Sequence, residues 1–211
     1  MSPVETFHQH LAECPLVAII RGVTPAEIEA VGGALLDAGF RIIEVPLNSP
    51  DPFASIERLA KLAGGRATVG GGTVLTADDV RRVADAGGQI IVSPNSFDEV
   101  IVETVKAGLV SSPGYFTPSE AFAALRAGAH VLKLFPAEGA GPVVVKAQKA
   151  VLPRDIPLIV VGGVKPDNMR PYWEAGAAGF GLGSNLYKPG MTADEVAANA
   201  RAYVAAVREL A

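Results

Sequence analysis

The sequence predicts an α/β protein that folds as a single (β/α)8 barrel with a short N-terminal helix, and three patterns support this prediction. Eight short apolar runs rich in β-branched residues recur along the chain, and a segment of helical character follows each. Near-continuous apolar strands are typical of a parallel sheet that helices cover. Helix-start and helix-stop signals separate the runs, and no proline- or serine-rich linker divides the chain. We therefore expect residues 1–211 to form one domain, a usual length for such a barrel.

The predicted strands begin about 19 to 27 residues apart, which leaves room for a strand, a loop and a helix in each unit. They are Leu16–Arg21, Ile42–Pro46, Thr68–Thr73, Ile90–Pro94, Leu109–Pro113, Val131–Pro136, Leu158–Gly163 and Gly179–Gly183. An open, doubly wound sheet is the main alternative. It would more often carry a GxGxxG turn after its first strand, where this chain reads Arg21-Gly22-Val23-Thr24-Pro25.

The signals between the strands mark where helices begin and end. Thr24, Thr76 and Thr117 each stand three residues before a carboxylate, which is the pattern of a capped helix start. Glycine just after a helix provides the left-handed residue that turns the chain into the next strand. An Ala-Gly pair stands at this position before five strands: Ala38-Gly39, Ala86-Gly87, Ala107-Gly108, Ala127-Gly128 and Ala175-Gly176. We expect residues 1–13 to form a helix across the barrel floor and the last helix to span about Ala193–Glu209.

Composition excludes several classes of partner. The formal net charge of −4 provides no basic field for a nucleic acid or an anionic membrane surface. No run of about 18 apolar residues predicts a membrane span, and the polar N-terminus does not resemble a signal peptide. The single cysteine, Cys14, excludes an intrachain disulfide and is expected to be buried near the barrel floor. These features suit a cytoplasmic protein. His8 and His10 are expected to be solvated, and no ligand set for a metal is evident.

Lys133 is the first candidate for chemistry. The chain has seven lysines, and Lys133 is the one that falls within an apolar strand. Burial favours the uncharged amine and lowers its pKa, and an uncharged amine is what attack on a ketone requires. A structural lysine paired with a carboxylate inside the barrel is the alternative interpretation.

Glu44 is the second candidate, because it is a lone charge in the apolar run Ile42–Pro46. Strands two and six stand on opposite sides of an eight-stranded barrel, so inward side chains from Glu44 and Lys133 could converge on one ligand. Glu44 could then transfer protons during imine formation and carbon–carbon bond cleavage. A simple ion pair between the two residues is the alternative.

Further candidates lie at the carboxyl ends of the strands, where barrel enzymes have their active sites. Arg21 has the planar fork that binds a carboxylate or phosphate, and Thr73 could donate a hydrogen bond to a substrate carboxylate. Pro94 and Phe135 could line the pocket. Glycines let backbone N–H groups approach a phosphate, and such candidates follow strands seven and eight: Gly162, Gly163, Gly183 and Ser184. Turn glycines, strand-ending prolines and simple packing are the structural alternatives for these residues.

Taken together and in order, the motifs around these residues resemble the 2-keto-3-deoxy-6-phosphogluconate and 6-phosphogalactonate aldolases. The motifs are Ile20-Arg21-Gly22, Ile43-Glu44-Val45, Gly71-Gly72-Thr73-Val74-Leu75, Ser93-Pro94-Asn95, Lys133-Leu134-Phe135-Pro136 and Gly162-Gly163-Val164. The resemblance runs from about Pro15 to Tyr187. It implies a metal-independent enzyme without a cofactor, usually a homotrimer, that releases pyruvate and glyceraldehyde 3-phosphate.

The resemblance also implies individual roles. Lys133 matches the Schiff-base lysine, and Glu44 matches the acid/base that transfers protons. Arg21 and Thr73 match positions that contact the substrate. The phosphate site is matched by Gly162, Gly163, Gly183 and Ser184.

Two positions favour the galactonate branch of this family. The gluconate branch typically has an arginine just after the glutamate strand, where this chain has Ser49, and a threonine before the Gly-Gly pair, where it has Val161. The resemblance therefore implies a class I aldolase that cleaves 2-dehydro-3-deoxy-6-phosphogalactonate, with Val161 in the substrate pocket. The 6-phosphogluconate epimer as main substrate, a phosphosugar isomerase or decarboxylase, and a non-catalytic phosphosugar-binding barrel are the alternatives.

Overall fold

The computed structural model describes residues 1–210, and its centre is a ring of parallel strands. Every pair of neighbouring strands runs parallel, with β1 lying between β2 and β9. The strands are β1 Leu16–Ile19, β2 Ile42–Pro46, β3 Thr68–Gly72, β4 Ile90–Val92, β5 Val110–Ser112, β6 Gly114–Tyr115, β7 Leu132–Leu134, β8 Leu158–Val161 and β9 Gly179–Leu182.

One helix precedes the first strand, and the other helices follow strands and cover the outside of the ring. The helices are α1 Pro3–Glu13, α2 Ile28–Ala38, α3 Pro52–Ala63, α4 Ala77–Asp85, α5 Asp98–Lys106, α6 Pro118–Ala127, α7 Pro142–Lys149, α8 Met169–Glu174 and α9 Ala193–Arg208. A one-turn 3-10 helix, Ala137–Gly139, follows β7. Within residues 1–210, no helix combines the length and the apolar character that crossing a membrane requires.

The fifth strand differs from its prediction. The run Leu109–Pro113 was expected to be one strand, but β5 ends at Ser112 and the chain resumes as β6. Pro113 has no N–H to donate, so it interrupts the ladder. The two pieces still fill one place in the ring, because β5 pairs with β4 and β6 pairs with β7. The ring therefore has eight positions, which confirms the predicted (β/α)8 barrel.

The predicted stop signals are confirmed at all five Ala-Gly pairs, since each glycine has a positive φ of 72° to 110°. Two of the three predicted start signals are confirmed: Thr76 and Thr117 accept a hydrogen bond from the backbone N–H three residues on. Thr24 differs, because α2 begins only at Ile28. Its hydroxyl instead donates to the Glu27 carboxylate at 2.6 Å, in the turn before that helix.

The N-terminal helix closes the barrel floor, as predicted. Phe7 of α1 is 1% exposed and packs among inward-facing aliphatic side chains of the strands, including Val17 and Val131. Burial of a side chain of this size contributes about 1.5–3 kcal/mol to folding. Cys14 is buried as expected. The expectation for His10 was wrong: it is buried, and its Nδ1 lies 2.9 Å from the hydroxyl of Thr68 at the start of β3.

Candidate active site

A cavity of about 290 Å³ opens at the carboxyl ends of the strands. The structure thus brings together side chains and glycines from six of the eight predicted strand ends or the loops after them. All of the predicted site residues except Glu44 line this cavity: Arg21, Thr73, Pro94, Lys133, Phe135, Val161, Gly162, Gly163, Gly183 and Ser184.

Glu44 lies one layer deeper, inside the barrel. It lines a small void of about 10 Å³ together with Lys133 and Val161, so Lys133 borders both the void and the open cavity. Glu44 is 1% exposed, and its Oε2 has no hydrogen-bond partner in the protein. A buried carboxylate oxygen without a partner is costly and is characteristic of functional sites.

The glycines of β3 make room for the Glu44 carboxylate. Glu44 stands opposite Gly70 in the ladder, and a Cβ built on Gly72 would lie 1.1 Å from Glu44 Oε2. Real carbon and oxygen atoms cannot approach so closely, so any side chain at position 72 would displace the carboxylate. The run Gly70–Gly72 is therefore part of the site, although it contributes no reactive group.

Burial perturbs both charged groups in the barrel. It lowers the pKa of Lys133, an effect that the negative charge of Glu44 opposes and the positive charge of Arg21 reinforces. It raises the pKa of Glu44 above its usual range, with Lys133 and then Arg21 opposing. Both groups are thus driven toward their uncharged forms. The Lys133 Nζ also lies 5.1 Å from the centre of the Phe135 ring, which lines the same cavity.

A polar cluster forms at the ends of β1 and β3. The Arg21 guanidinium donates to the side-chain carbonyl of Asn48 and, at 3.3 Å, to the hydroxyl of Thr73. Thr73 has a left-handed φ of 56°, which is uncommon for a residue other than glycine and is found most often at functional sites. Ser49 accepts a hydrogen bond of 2.8 Å from the backbone N–H of Gly22, so it links the loops after β1 and β2.

The opposite end of the cavity consists of the loops after β8 and β9. Gly162 and Gly163 have φ values of 117° and 65°, and a Cβ on Gly162 would lie 2.1 Å from Glu138 Oε2. Sequence reasoning missed several residues at this end: Glu138, Val164, Asn185, Tyr187, Lys188 and Pro189. All lie in loops or in the 3-10 turn, where a charge or an aromatic ring is ordinarily solvated and gives no periodic signal.

Within residues 1–210, no group of three or more His, Cys, Asp or Glu side chains is arranged to hold a metal ion. The cavity instead offers an amine of lowered pKa, a nearby carboxyl group of raised pKa and two glycine loops. These are the groups that imine-based carbon–carbon chemistry requires. The fold and the site together define a barrel enzyme of the lysine-dependent lyase type.

Comparison with known proteins narrows this class. The family model for KDPG and KHG aldolases matches residues 7–202, and the chain belongs to this family. A relative from Rhizobium meliloti (strain 1021), named a probable 2-dehydro-3-deoxy-6-phosphogalactonate aldolase, is 52% identical over 194 residues, which cover 92% of each chain. The 2-dehydro-3-deoxy-6-phosphogalactonate aldolase of Escherichia coli (strain K12) is 47% identical over 95% of this chain and 98% of its own.

A solved structure described as native KDPGal has the same architecture. It superposes with a TM-score of 0.92 at 47% identity and covers 94% of this chain and 96% of that one. The resemblance inferred from the motifs is therefore confirmed at the level of the family, in both sequence and fold.

Proposed function

We propose that this chain is a class I aldolase that cleaves 2-dehydro-3-deoxy-6-phosphogalactonate to pyruvate and D-glyceraldehyde 3-phosphate in the cytoplasm, without a cofactor. The observation that carries the proposal is the placement of Lys133, which is 7% exposed and borders both the cavity and the void that Glu44 lines. The names of the relatives at 47% and 52% identity support the choice of substrate.

We propose one orientation for the substrate in the cavity. The phosphate would bind the backbone N–H groups of the loops after β8 and β9, at Gly162, Gly163, Gly183 and Ser184. The carboxylate would lie at the other end, where Arg21 and Thr73 form the polar cluster. This orientation brings the ketone carbon, C2, close to Lys133. Pro94, Phe135 and Val161 would form the walls around the carbon chain.

The proposed reaction begins at the ketone. The neutral amine of Lys133 attacks C2 to give a carbinolamine, and protonated Glu44 assists the loss of its hydroxyl as water, which leaves an iminium. Glu44, now ionised, takes the C4 hydroxyl proton, directly or through a water. The C3–C4 bond breaks, its electron pair passes to the iminium to form an enamine, and glyceraldehyde 3-phosphate leaves. Protonation of the enamine at C3 and hydrolysis of the imine release pyruvate and regenerate Lys133.

Trapping with borohydride tests the imine. Borohydride reduces an imine between pyruvate and a lysine to a stable amine, so mass spectrometry of the treated protein should show one pyruvate adduct on Lys133. Lys133→Ala should lose the adduct. Lys146→Ala, which removes an exposed lysine of α7, should keep it. Equal labelling of the Lys133→Ala protein would refute the assignment of the imine to Lys133.

Cleavage rates on the two C4 epimers test the choice of substrate. The epimers differ at the carbinol carbon of the bond that breaks, and Val161 lines the cavity beside Lys133. Ser49 is buried and bonded to the loop after β1, so its effect on that loop is indirect. We expect kcat/KM for the galactonate epimer to exceed that for the gluconate epimer. Equal or reversed values would overturn the substrate and leave the imine chemistry intact.

We also propose that the chain assembles as a homotrimer, as its family resemblance implies. Large apolar side chains are exposed on consecutive units of one side of the barrel: Phe97, Phe116, Phe122, Val143 and Val144. Exposed apolar patches of this kind are typical of association surfaces.

A further inference from the structure

The loop after β8 is held by two side chains. The carbonyl of Val164 accepts a hydrogen bond of 2.9 Å from the hydroxyl of Tyr203 and one of 3.3 Å from the side-chain amide of Asn185. Tyr203 belongs to α9, and Asn185 belongs to the loop after β9. One carbonyl of the candidate phosphate loop is therefore tied to two other elements of the barrel.

A third side chain holds the same loop at its next peptide units. The Asn168 amide donates to the carbonyl of Gly163 at 2.9 Å, and its side-chain oxygen accepts from the backbone N–H of Lys165 at 2.9 Å. Asn168 thus uses both ends of its amide on the loop, which a carboxylate or an aliphatic side chain could not do.

The loop after β9 is held in a comparable way. The carbonyl of Gly183 accepts from the backbone N–H groups of Leu186, at 2.8 Å, and Tyr187, at 3.0 Å. The carbonyl of Leu186 accepts in turn from the side-chain amide of Asn199, at 3.2 Å. Asn199 and Tyr203 are four residues apart on α9 and so lie on the same face of that helix. One helical face therefore holds both loops.

The directions of these carbonyls determine where the N–H groups point. A trans peptide unit is planar, and its C=O and N–H groups point in opposite directions. Asn168 holds the Gly163 carbonyl, so the N–H of Val164 points away from Asn168. The turn after β9 holds the Gly183 carbonyl, so the N–H of Ser184 points away from the N–H groups of Leu186 and Tyr187. Val164 and Ser184 both line the cavity.

Tyr203 is suited to a permanent donor role. Burial, reinforced by the negative charge of Asp167, raises the pKa of Tyr203 to about 12, so the hydroxyl keeps its proton throughout the neutral range. Asn199 and Tyr203 line a separate surface cleft behind the loops, on the side of α9, so any effect they have on the cavity passes through the loops.

We propose that Tyr203, Asn168 and Asn185 are positioning residues that hold the backbone N–H groups of the two loops ready for a phosphate group. This inference rests on the proposed function, because it assumes that the cavity binds a phosphorylated substrate. Fixed donors bind an anion without the cost of ordering a loop at the moment of binding, so preorganisation raises affinity for the phosphate. The selectivity for phosphorylated over unphosphorylated substrates then depends in part on Tyr203 and Asn168, which do not line the cavity.

Tyr203→Phe is the most selective test, because it removes one hydroxyl and keeps the ring. The ratio to measure is kcat/KM for aldol addition of pyruvate to D-glyceraldehyde 3-phosphate over kcat/KM for addition to D-glyceraldehyde. The loss of one such hydrogen bond is expected to lower this ratio about 3- to 10-fold. The dissociation constant for inorganic phosphate, measured by titration calorimetry, should rise by a similar factor. Asn168→Ala, which removes two bonds to the loop, should lower the ratio at least as far.

Tyr115→Phe is the matched control. Tyr115 is also a buried tyrosine, and its hydroxyl donates at 2.8 Å to the side chain of Gln148, away from the two loops. Both Tyr→Phe variants lose a buried hydrogen bond and should lose comparable thermal stability. Only Tyr203→Phe should change the ratio. A ratio that changes equally in the two variants, or in neither, would overturn the positioning role.

The proposed function and the positioning role can fail separately. If the wild-type protein forms no borohydride-trapped pyruvate adduct, the aldolase proposal fails. The affinity for inorganic phosphate still tests the loops in that case. Weaker phosphate binding by Tyr203→Phe than by Tyr115→Phe would support the positioning role, and equal binding would refute it.

Discussion

Burial inside the barrel shifts the pKa values of Lys133 and Glu44 in opposite directions, and imine formation requires both shifts. An imine-forming site requires an amine that has lost its proton and an acid that still holds one. Burial supplies both, because it lowers the pKa of Lys133 and raises that of Glu44. Burial therefore favours the uncharged amine and the uncharged acid, although both groups would be charged in water at neutral pH.

Glu44→Gln tests the role of the acid. Glutamine keeps the shape of the side chain but cannot transfer a proton, so we expect kcat for cleavage to fall about 10²- to 10⁴-fold. The negative charge of Glu44 raises the pKa of Lys133, so its removal should lower that pKa further. The acid limb of the pH dependence of pyruvate trapping should then move to lower pH.

The exposed carboxylate of Glu57 on α3 provides the control, and Glu57→Gln should keep both the rate and the pH profile of the wild type. An acid limb that stays in place or moves to higher pH in Glu44→Gln would contradict the coupling between the two residues. An unchanged kcat would exclude Glu44 as the acid/base.

The sequence predicted Lys133 and Glu44 as site residues because each is a lone charge in an apolar strand, a pattern that solvation cannot explain. It did not predict Glu138 or Lys188, because a charge in a polar loop looks the same whether it faces a cavity or bulk water. Tyr203 was also missed. A tyrosine on the buried face of a helix is indistinguishable from a packing residue until the partner of its hydroxyl is known.

At the level of elements, the chain order of strands and helices was predictable because local signals repeat. Each of the five Ala-Gly pairs ends a helix for the same steric reason, so the signals support one another. Two predictions depended on non-local contacts and failed. The break at Pro113 depends on whether a neighbouring strand has a carbonyl that would accept a hydrogen bond from a backbone N–H at that position. The burial of His10 depends on how α1 packs under the barrel and which face it turns to β3.

Because His10 is buried between α1 and the barrel floor, we expect the stability of this packing to depend on pH. Burial lowers the pKa of His10, with Arg41 adding to this and Glu13 opposing it. The unfolded chain, with a pKa of about 6.5, then binds a proton more readily than the folded protein. Stability from this group is complete above that value and is lost as pH falls below it. We expect the free energy of unfolding, measured in urea, to fall between pH 7.5 and pH 5.

His10→Gln should make that fall smaller, because glutamine does not titrate. A residual fall is expected, since burial also lowers the pKa of His130. His8→Gln, on the exposed face of the same helix, serves as the control. The charge of His8 also lowers the pKa of His130, so this variant should change the dependence, but less than His10→Gln does. If His10→Gln keeps the wild-type dependence, protonation of His10 does not open the floor of the barrel.

At the level of the whole molecule, the residues that stabilise the barrel and the residues that line the candidate active site lie at opposite ends. The inner cluster that includes Phe7 and Val131 fills the floor, while the cavity occupies the opposite end, where the strands deliver side chains to the loops. Glu44 marks the boundary, since it is as deeply buried as the core but belongs to the site. The outer surface has a further asymmetry, because large exposed apolar side chains gather on the units around α5, α6 and α7.

This surface leads to the prediction for the assembly. The wild-type protein should sediment at about three times the 21.7 kDa mass of the chain. Val143, which is 81% exposed on α7, would be covered in the trimer. Val143→Asp would bury an unpaired charge at each contact, so we expect the mass to fall toward that of a single chain. Ala198→Asp places the same charge on an exposed position of α9, two units further along the barrel from α7, and should leave the mass unchanged. A wild-type protein that sediments as a single chain would refute the proposed trimer. Dissociation by Ala198→Asp but not by Val143→Asp would place the interface at α9 instead of α7.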